Sequence, residues 1–389
     1  MFVARSVELF AGAGGMALGM LRAGFEHDQL VELHEAPCEI LRTNAERDPA
    51  LWKSENIRQM DVRWWLKEHA SSQLRDIDLV AGGPPCQPFS IGGARAGHAD
   101  ERNMFPIAID VVRELWPKTF VFENVPGLLR EDFLPYYLYL FDYLTRPSIV
   151  PREDEDWTAH HDRIRRAGSP VEYHVRREII DAADLGIPQT RKRVFIIGIR
   201  ADIGEADTWQ TLEPTHSRAA LLHAQWVSGA YWIEQGLRPP AMPEKFRSQV
   251  ARLRRSGGIP GEKRWRTTRD AIADLPHPID GVEASGVLNH EGIPGARSYR
   301  GHTGGWFEWP AKTLKAGVHG VCGGEGMIRF TDDSIRYLTV REAARIQTFP
   351  DDYQLADLRG VSMRALGNAV AVEVAAAIGR RLLAVTEIA

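Results

Sequence analysis

The sequence predicts an α/β fold, a Rossmann-like domain joined to a second, smaller one, and three observations carry that expectation. The segment from Ser6 to Gly19 reads as a strand, a glycine turn and a helix. Further short apolar runs stop abruptly in turn or polar residues, as buried strands do at a sheet edge. From Arg200 to about Ala311 that pattern lapses, and proline, tryptophan and scattered basic residues replace it. A chain of 389 residues is long enough to bury a large core and to divide in two.

In the first strand-turn-helix, Gly12, Gly14 and Ala17 fit the pattern G-x-G-x-x-A, in which the turn lets backbone approach a ligand. The next strand, Gln29 to Leu33, carries Glu32 about 20 residues downstream, where an acid that takes ribose hydroxyls belongs. Such a turn serves NAD, FAD and S-adenosylmethionine alike. Between Glu35 and Trp65 a helix is followed by a short strand ending near Asp61.

The central stretch is the run Ile77 to Ala81, halted by Gly82, Gly83, Pro84 and Pro85 just before Cys86. That thiol is expected at the carboxyl end of a strand, the edge where open α/β sheets bind ligands. A lone cysteine is usually a small buried hydrophobe. Here, however, a strand within 118–127 ends in Glu123 and Asn124, and another within 191–199 opens with Arg191, Lys192 and Arg193. Together they offer a thiol, a carboxyl group and guanidinium groups.

After Cys86, Ser90 to Asn103 is rich in glycine and charge and reads as a mobile loop that closes over substrate. Phe105 opens a helix. Leu134 to Leu144 reads as an aromatic helix whose tyrosines pack in the core, and 152–166 as an exposed, mixed-charge insertion. Within the irregular region, Arg247, Arg252, Arg254, Arg255, Lys263, Arg264, Arg266 and Arg269 are opposed only by Glu262, a local anion-binding face in a chain of net charge −4. Trp209, Trp226, Trp232, Trp265, Trp306 and Trp309 are interleaved with it. The pattern resumes at Ala311, continues through a helix begun by Thr339 with Glu342 as a capping box, and closes with a turn and an alanine-rich helix from Arg364 to Ala377.

The three cysteines, Cys38, Cys86 and Cys322, form no C-x-x-C, so neither a disulfide framework nor a zinc site is indicated. No basic-then-apolar leader opens the chain, and no apolar stretch approaches the ~18 residues of a membrane span. A cytoplasmic protein is expected.

Pro84-Pro85-Cys86-Gln87, then Glu123-Asn124-Val125, then Gln189-Thr190-Arg191-Lys192-Arg193 resemble, in that order, the signature motifs of the bacterial-type DNA (cytosine-5-)-methyltransferases. The resemblance runs from Glu8 to about Leu382. It implies a Rossmann-like, S-adenosyl-L-methionine-dependent methyltransferase domain over 1–203, completed by 360–389, a target-recognition domain over 204–335 and a connecting helix region over 336–359. It further implies methylation of C5 of a cytosine flipped out of double-stranded DNA at a specific sequence, leaving S-adenosyl-L-homocysteine. The expected protein is a monomer in a restriction-modification system, with a cognate restriction endonuclease acting on the same site.

By the same resemblance the methyl donor is held by Phe10, Gly12, Gly14 and Gly15 at the turn. Glu32 takes its ribose, Leu33, Asp61 and Val62 surround its adenine, and Pro84, Phe105, Asn368 and Val370 complete the pocket. Ser90, Gly92, Arg102 and Thr313 approach the DNA. Many relatives carry an aromatic where Leu33 stands and a serine where Ala369 stands, so weaker stacking and one missing hydrogen bond are expected.

Cytosine C5 is not nucleophilic enough to take a methyl group from a sulfonium. Adding the Cys86 thiolate to C6 makes C5 an enamine-like carbon and splits one difficult step into easier ones. Arg191 is expected to raise the thiolate fraction, Glu123 to hydrogen-bond N3 and the exocyclic amine, and Arg193 to hold O2 and orient Glu123. No residue is an evident base for removing the C5 proton, which leaves water. A tRNA cytosine-5 methyltransferase is the main alternative, but that branch has a small recognition region and a Cys-Phe-Thr tripeptide absent here. A nicotinamide-dependent dehydrogenase leaves Cys86, Glu123 and Arg193 unexplained, and a dead DNA-binding module does not need all three.

Overall fold

The computed structural model describes residues 3–69, 74, 76–85, 103–204, 208–299, 303–316 and 326–388. The chain forms two compact units: Met1–Ile180 with Lys192–Thr211 and Ala375–Ala389, and Asp181–Arg191 with Leu212–Val374.

The first unit is built on strands β1 (Ala4–Leu9), β2 (Phe25–Glu32), β3 (Ile57–Gln59), β4 (Leu79–Gly82), β5 (Thr119–Asn124), β6 (Tyr173–Asp181) and β7 (Lys192–Arg200), in the order β3-β2-β1-β4-β5-β7-β6. Pairings from β3 to β5 are parallel, and β7 runs antiparallel to β5. β4 and β5 are buried at every position, as central strands covered on both faces must be. Their continuous apolar runs are the cause. Helices α1 (Gly15–Ala23), α2 (Glu35–Arg47), α3 (Val62–His69), α4 (Phe105–Leu115), α5 (Leu134–Thr145) and α6 (Trp157–Arg166) complete the unit, with the last helix of the chain described below. One core joins Val7, Leu9, Val80, Phe120 and Phe122 of the sheet to α3, α4 and α5.

The tyrosines of α5 are core residues, as expected: Tyr136, Tyr137, Tyr139 and Tyr143 are buried. The segment 152–166 departs from the expected exposed insertion. Asp156 caps α6 by accepting from the Thr158 and Ala159 amides. Trp157, His160 and Ile164 then recur at helical spacing and turn inward, where His160 Nδ1 meets the Tyr139 hydroxyl at 3.0 Å. The high charge of the segment hid a narrow apolar stripe.

The second unit begins with β8 (His216–Ser217), α7 (Arg218–Trp226), α8 (Ala230–Glu234), α9 (Arg247–Ser256), β9 (Lys263–Arg264) and α10 (Thr268–Ile272). It continues with β10 (Gly305–Trp306), β11 (Met327–Arg329), β12 (Ile335–Tyr337), α11 (Val340–Ile346) and α12 (Arg359–Asn368). The expected capping box is present, with Thr339 and Glu342 each bonding the other's backbone amide. Trp226, Trp232 and Trp265 are buried in one cluster with Tyr231 and Phe246, and Trp306 and Trp309 pack against it. These rings fill one core. The chain closes with α13 (Val372–Ile388), whose Gly379 lets Ala23 and Met20 of α1 approach closely. No helix among the described residues is long and apolar enough to cross a membrane.

Candidate active site

The order of strands reverses direction between β1 and β4, which makes the carboxyl ends of these two strands the switch point of the sheet. Leu9 is in register with Gly82, and Gly82 with Phe122. Phe10, Gly83 and Glu123 are thus the next residues in line along one edge. Gly82 is required for this packing, since a Cβ there would lie 2.6 Å from the Leu9 carbonyl oxygen.

From Leu9 the chain turns sharply. Phe10, Gly12 and Gly14 all have positive φ, at 56°, 54° and 80°. A non-glycine residue at such a φ is strained, and strain of this kind clusters at functional sites. The Gly12 amide donates to Glu32 Oε2 at 2.9 Å, and the His34 amide to Oε1 at 2.8 Å. Glu32 is thereby fixed at the end of β2 with lone pairs remaining on both oxygens. The next residue, Leu33, lies just past the strand and is 54% exposed, an uncovered apolar face beside a buried acid. Asp61 opens α3; its carboxylate accepts from the Arg63 side chain at 3.0 and 2.7 Å, which holds it below the usual carboxylate range. Val62 is buried behind it. A strained glycine turn, a clamped acid and an open apolar surface fit the ribose and adenine of S-adenosyl-L-methionine. Phe105 is fully buried, edge-on to Phe122 at a centroid distance of 6.4 Å.

Beneath the turn, on the α1 side of the sheet, His27 Nε2 donates to the Ala17 carbonyl at 2.9 Å, and Nδ1 lies 2.9 Å from Ser6 Oγ. Burial holds this imidazole down at about 4, so it is neutral at pH 7. Glu8 is buried beside it, and desolvation raises its carboxyl well above the usual range.

At the neighbouring strand ends, Arg193 Nε meets Glu123 Oε1 at 2.7 Å. The pairing follows from register: Glu123 is the penultimate residue of β5, opposite Phe195, and Arg193 is the second residue of the antiparallel β7. Both side chains are largely shielded, at 11% and 15% exposure. Glu123 Oε2 faces the chain leaving β4, 3.4 Å from where a Gly83 Cβ would sit. Among the described residues it has no hydrogen-bond partner. Asn124 pins the two exits together: its Nδ2 donates to the Pro84 carbonyl at 3.0 Å while its Oδ1 accepts from the Val125 amide. Its place beside Glu123 in the motif was the only signal for this clamp. The Met104 amide returns to the Pro85 carbonyl at 3.3 Å. Cys86, Ser90, Gly92 and Arg102 lie outside the described residues.

In the second unit, Arg191 is 3% exposed and donates to three carbonyls, Leu314 at 2.9 Å, Gly367 at 2.9 Å and Ala369 at 3.0 Å. Gln189, which opens the motif that carries Arg191, and Gln347, not singled out by sequence, extend this hub. Gln189 accepts from the Leu314 amide and donates to Gln347, which donates to the Leu366 and Ala369 carbonyls. Thr313 donates its hydroxyl to the Thr190 carbonyl at 2.7 Å. Asn368 is exposed at the end of α12 and Val370 is buried just beyond it. Among the described residues no group of acids, histidines or cysteines is arranged to hold a metal.

Three comparisons bear on this site. Residues 4–144 and 154–384 match the model of the C-5 cytosine-specific DNA methylases. Among curated proteins, the chain is 29% identical to the Type II methyltransferase M.NgoMIV of Neisseria gonorrhoeae over 97% of its own length and 96% of the relative's. It is 37% identical to the Type II methyltransferase M.AquIA of a Picosynechococcus strain, over 54% of its own length and 76% of the relative's. Among solved structures, it shares its fold with one described as a DNA modification methyltransferase encoded within an E. coli prophage, with a TM-score of 0.61, 19% identity and 99% of both chains covered.

Proposed function

Because this chain belongs to the C-5 cytosine-specific DNA methylase family, we propose that Cys86, Glu123 and Arg193 act together on a cytosine turned out of a specific duplex sequence. The reaction is transfer of a methyl group from S-adenosyl-L-methionine to cytosine C5 in DNA. The first unit serves as the catalytic domain and the second as the target-recognition domain.

The observation that carries the assignment of residues is the Glu123–Arg193 pair at the sheet edge, whose second carboxyl oxygen is open toward the chain that leads to Cys86. The Cys86 sulfur adds to C6, and the electron pair displaced from the C5–C6 bond makes C5 a nucleophile that takes the methyl group. The C5 proton then leaves to water, and its electron pair expels the Cys86 thiolate as the C5–C6 double bond re-forms. Glu123 hydrogen-bonds N3 and the exocyclic amine and so offsets charge building on the ring. Help of this kind is worth ~10² to 10⁴ in rate. Arg193 fixes Glu123 and reaches O2. Asn124 sets the separation of the two strand exits, and a misplacement of about 1 Å at such a site costs on the order of 10²-fold.

Phe10, Gly12, Gly14 and Gly15 cradle the donor, Glu32 holds its ribose, and Leu33, Asp61 and Val62 bracket its adenine. The bound donor supplies an electrophilic sulfonium methyl group. Pro84, Phe105, Asn368 and Val370 are also assigned to the donor. Arg191 acts as a positioning residue, holding the turn that carries Asn368. Ser90, Gly92 and Arg102 approach the target strand, and Thr313 lies at a backbone contact. Rotating the base out costs a few kcal/mol, which contacts of this kind offset. The enzyme works as a cytoplasmic monomer, paired with a restriction endonuclease of the same specificity.

Duplex DNA containing 5-fluorocytosine tests this directly, because the fluorine cannot leave as a proton and the adduct persists. A denaturation-stable complex is expected for the wild type with S-adenosyl-L-methionine and none for Cys86→Ser. No complex with the wild type would overturn the assignment, and methyl incorporation into total tRNA but not duplex DNA would favour the RNA branch. Bisulfite sequencing of DNA from expressing cells then gives the recognition site.

A further inference from the structure

The arginine-rich run of the second unit is answered in part within the fold, with Arg252, Arg255 and Lys263 left without an acid partner among the described residues. Arg247 pairs with Glu244, Arg264 with Glu234 and Asp270, and Arg269 with Glu308, while Arg254 donates to the Trp226 carbonyl. Four cations from separate segments are not answered in this way. Arg218 at the start of α7 and Lys245 lie over one aromatic floor, the stacked rings of Phe246 and Trp309, whose centroids are 4.7 Å apart. Lys245 Nζ is 4.9 Å from the Phe246 centroid, and the Arg218 guanidinium carbon is 6.0 Å from Phe246 and 5.7 Å from Trp309. Lys312 lies against β10, within 3.7 Å of where a Gly305 Cβ would sit, and β10 pairs with β11 so that Trp306 faces Arg329.

Among the described residues, Arg218, Lys245 and Lys312 have no carboxylate within ion-pair distance. Arg329 has a long contact of 3.6 Å with Asp333, a residue whose side chain is 84% exposed, and its buried Nε has no partner. Burial, and then Arg329, Arg218 and Lys312 in turn, hold the Lys245 ammonium below its usual range, so the four charges are close enough to repel. Gathering like charges costs energy that an anion recovers, and rings beneath cations keep them from collapsing onto distant acids.

We propose that Arg218, Lys245, Lys312 and Arg329, seated on Phe246 and Trp309, form a binding site for the phosphodiester oxyanions of duplex DNA. The inference rests on the reading of the chain as a DNA methylase. It assigns the backbone clamp to residues outside the arginine run. These residues set affinity and register without reading sequence.

The test is the salt dependence of binding to a mixed-sequence duplex oligonucleotide. Each phosphate neutralised contributes about 0.9 to the slope of log K against log salt. The variant Arg218→Gln/Lys245→Gln/Lys312→Gln is expected to lower the slope by about 2 to 3, with its melting temperature retained. An unchanged slope overturns the proposal. Should the triple variant fold poorly, Lys245→Gln/Lys312→Gln is expected to lower the slope by about 1 to 2, with the same reversal if it does not. Trapping of wild type by 5-fluorocytosine DNA separates the two failures: an adduct with an unchanged slope in the variant sinks only the clamp, whereas no adduct sinks the enzyme assignment.

Discussion

The protein contains two arginine–carboxylate pairs of similar length and opposite meaning. In the second unit Glu308 is wholly buried and saturated: Arg269 donates to it from Nε and Nη2, at distances down to 2.6 Å, and the Tyr231 hydroxyl donates at 2.6 Å. In the first unit Glu123 has one ion pair, with Arg193, and among the described residues its second oxygen has no hydrogen-bond partner. A closed pair contributes to the fold because every lone pair is met by protein. An open pair stores hydrogen-bonding capacity for something that is not protein. Partner count, not distance, separates scaffold from chemistry.

The largest effect is expected where the open pair is altered. Glu123→Gln should lower turnover by ~10² to 10⁴, about 3 to 5 kcal/mol in the barrier, while the melting temperature moves by less than about 2 °C. A melting temperature that fell in step with activity would erase the contrast. The closed pair should behave in reverse. Glu308→Gln leaves the half-buried Arg269 guanidinium without its counter-charge, which costs about 1.5 to 3 kcal/mol in denaturant midpoint analysis, with turnover of the folded fraction unchanged. Replacing both partners by apolar residues, Glu308→Leu with Arg269→Met, should regain much of that stability, whereas no double replacement at Glu123 and Arg193 should regain turnover.

A smaller effect tests whether burial alone makes a polar group structural. His27 is in the catalytic half yet is closed, with both ring nitrogens engaged. Its unfolded form binds a proton near 6.5, its folded form only near about 4. Between those values the unfolded state carries more protons, so stability is full above ~6.5, falls as pH drops, and levels off below about 4. The loss approaches ~3 kcal/mol at most. His27→Gln should flatten this part of the stability profile; an unchanged slope would assign the dependence to another group.

The first unit was legible because its candidate site residues sit at strand ends, where a local run, a turn and a polar residue follow one another in sequence. Phe10 to Gly15, Glu32 and Glu123 fall where the apolar runs predicted. Strand limits shifted slightly, since β2 begins at Phe25 and stops before Leu33. Arg191 and Arg193 were harder. They stand two apart in one motif, but β7 starts at Lys192, so only Arg193 obeys the strand's register and reaches Glu123. Arg191 lies before it and answers carbonyls at positions 314, 367 and 369. In the second unit sequence gave residue types without partners. Arg264 is answered by Asp270 nearby but also by Glu234, Arg269 is answered by Glu308, and the four cations that gather at Phe246 and Trp309 come from separate segments. Neither fact has a local signature. The same holds for the tryptophans, whose burial is decided by one another.

The hub at Arg191 also bears on how such enzymes exchange specificities. Asp181–Arg191 belongs with the second unit although it is flanked by strands of the first. A chimaera that transplanted only the contiguous stretch 212–374 from a relative would import foreign carbonyls at 314, 367 and 369 to face a resident arginine and Gln189. The heritable cassette is therefore discontinuous, and a donor's short 181–191 segment has to travel with its long one for the graft to keep its internal fit.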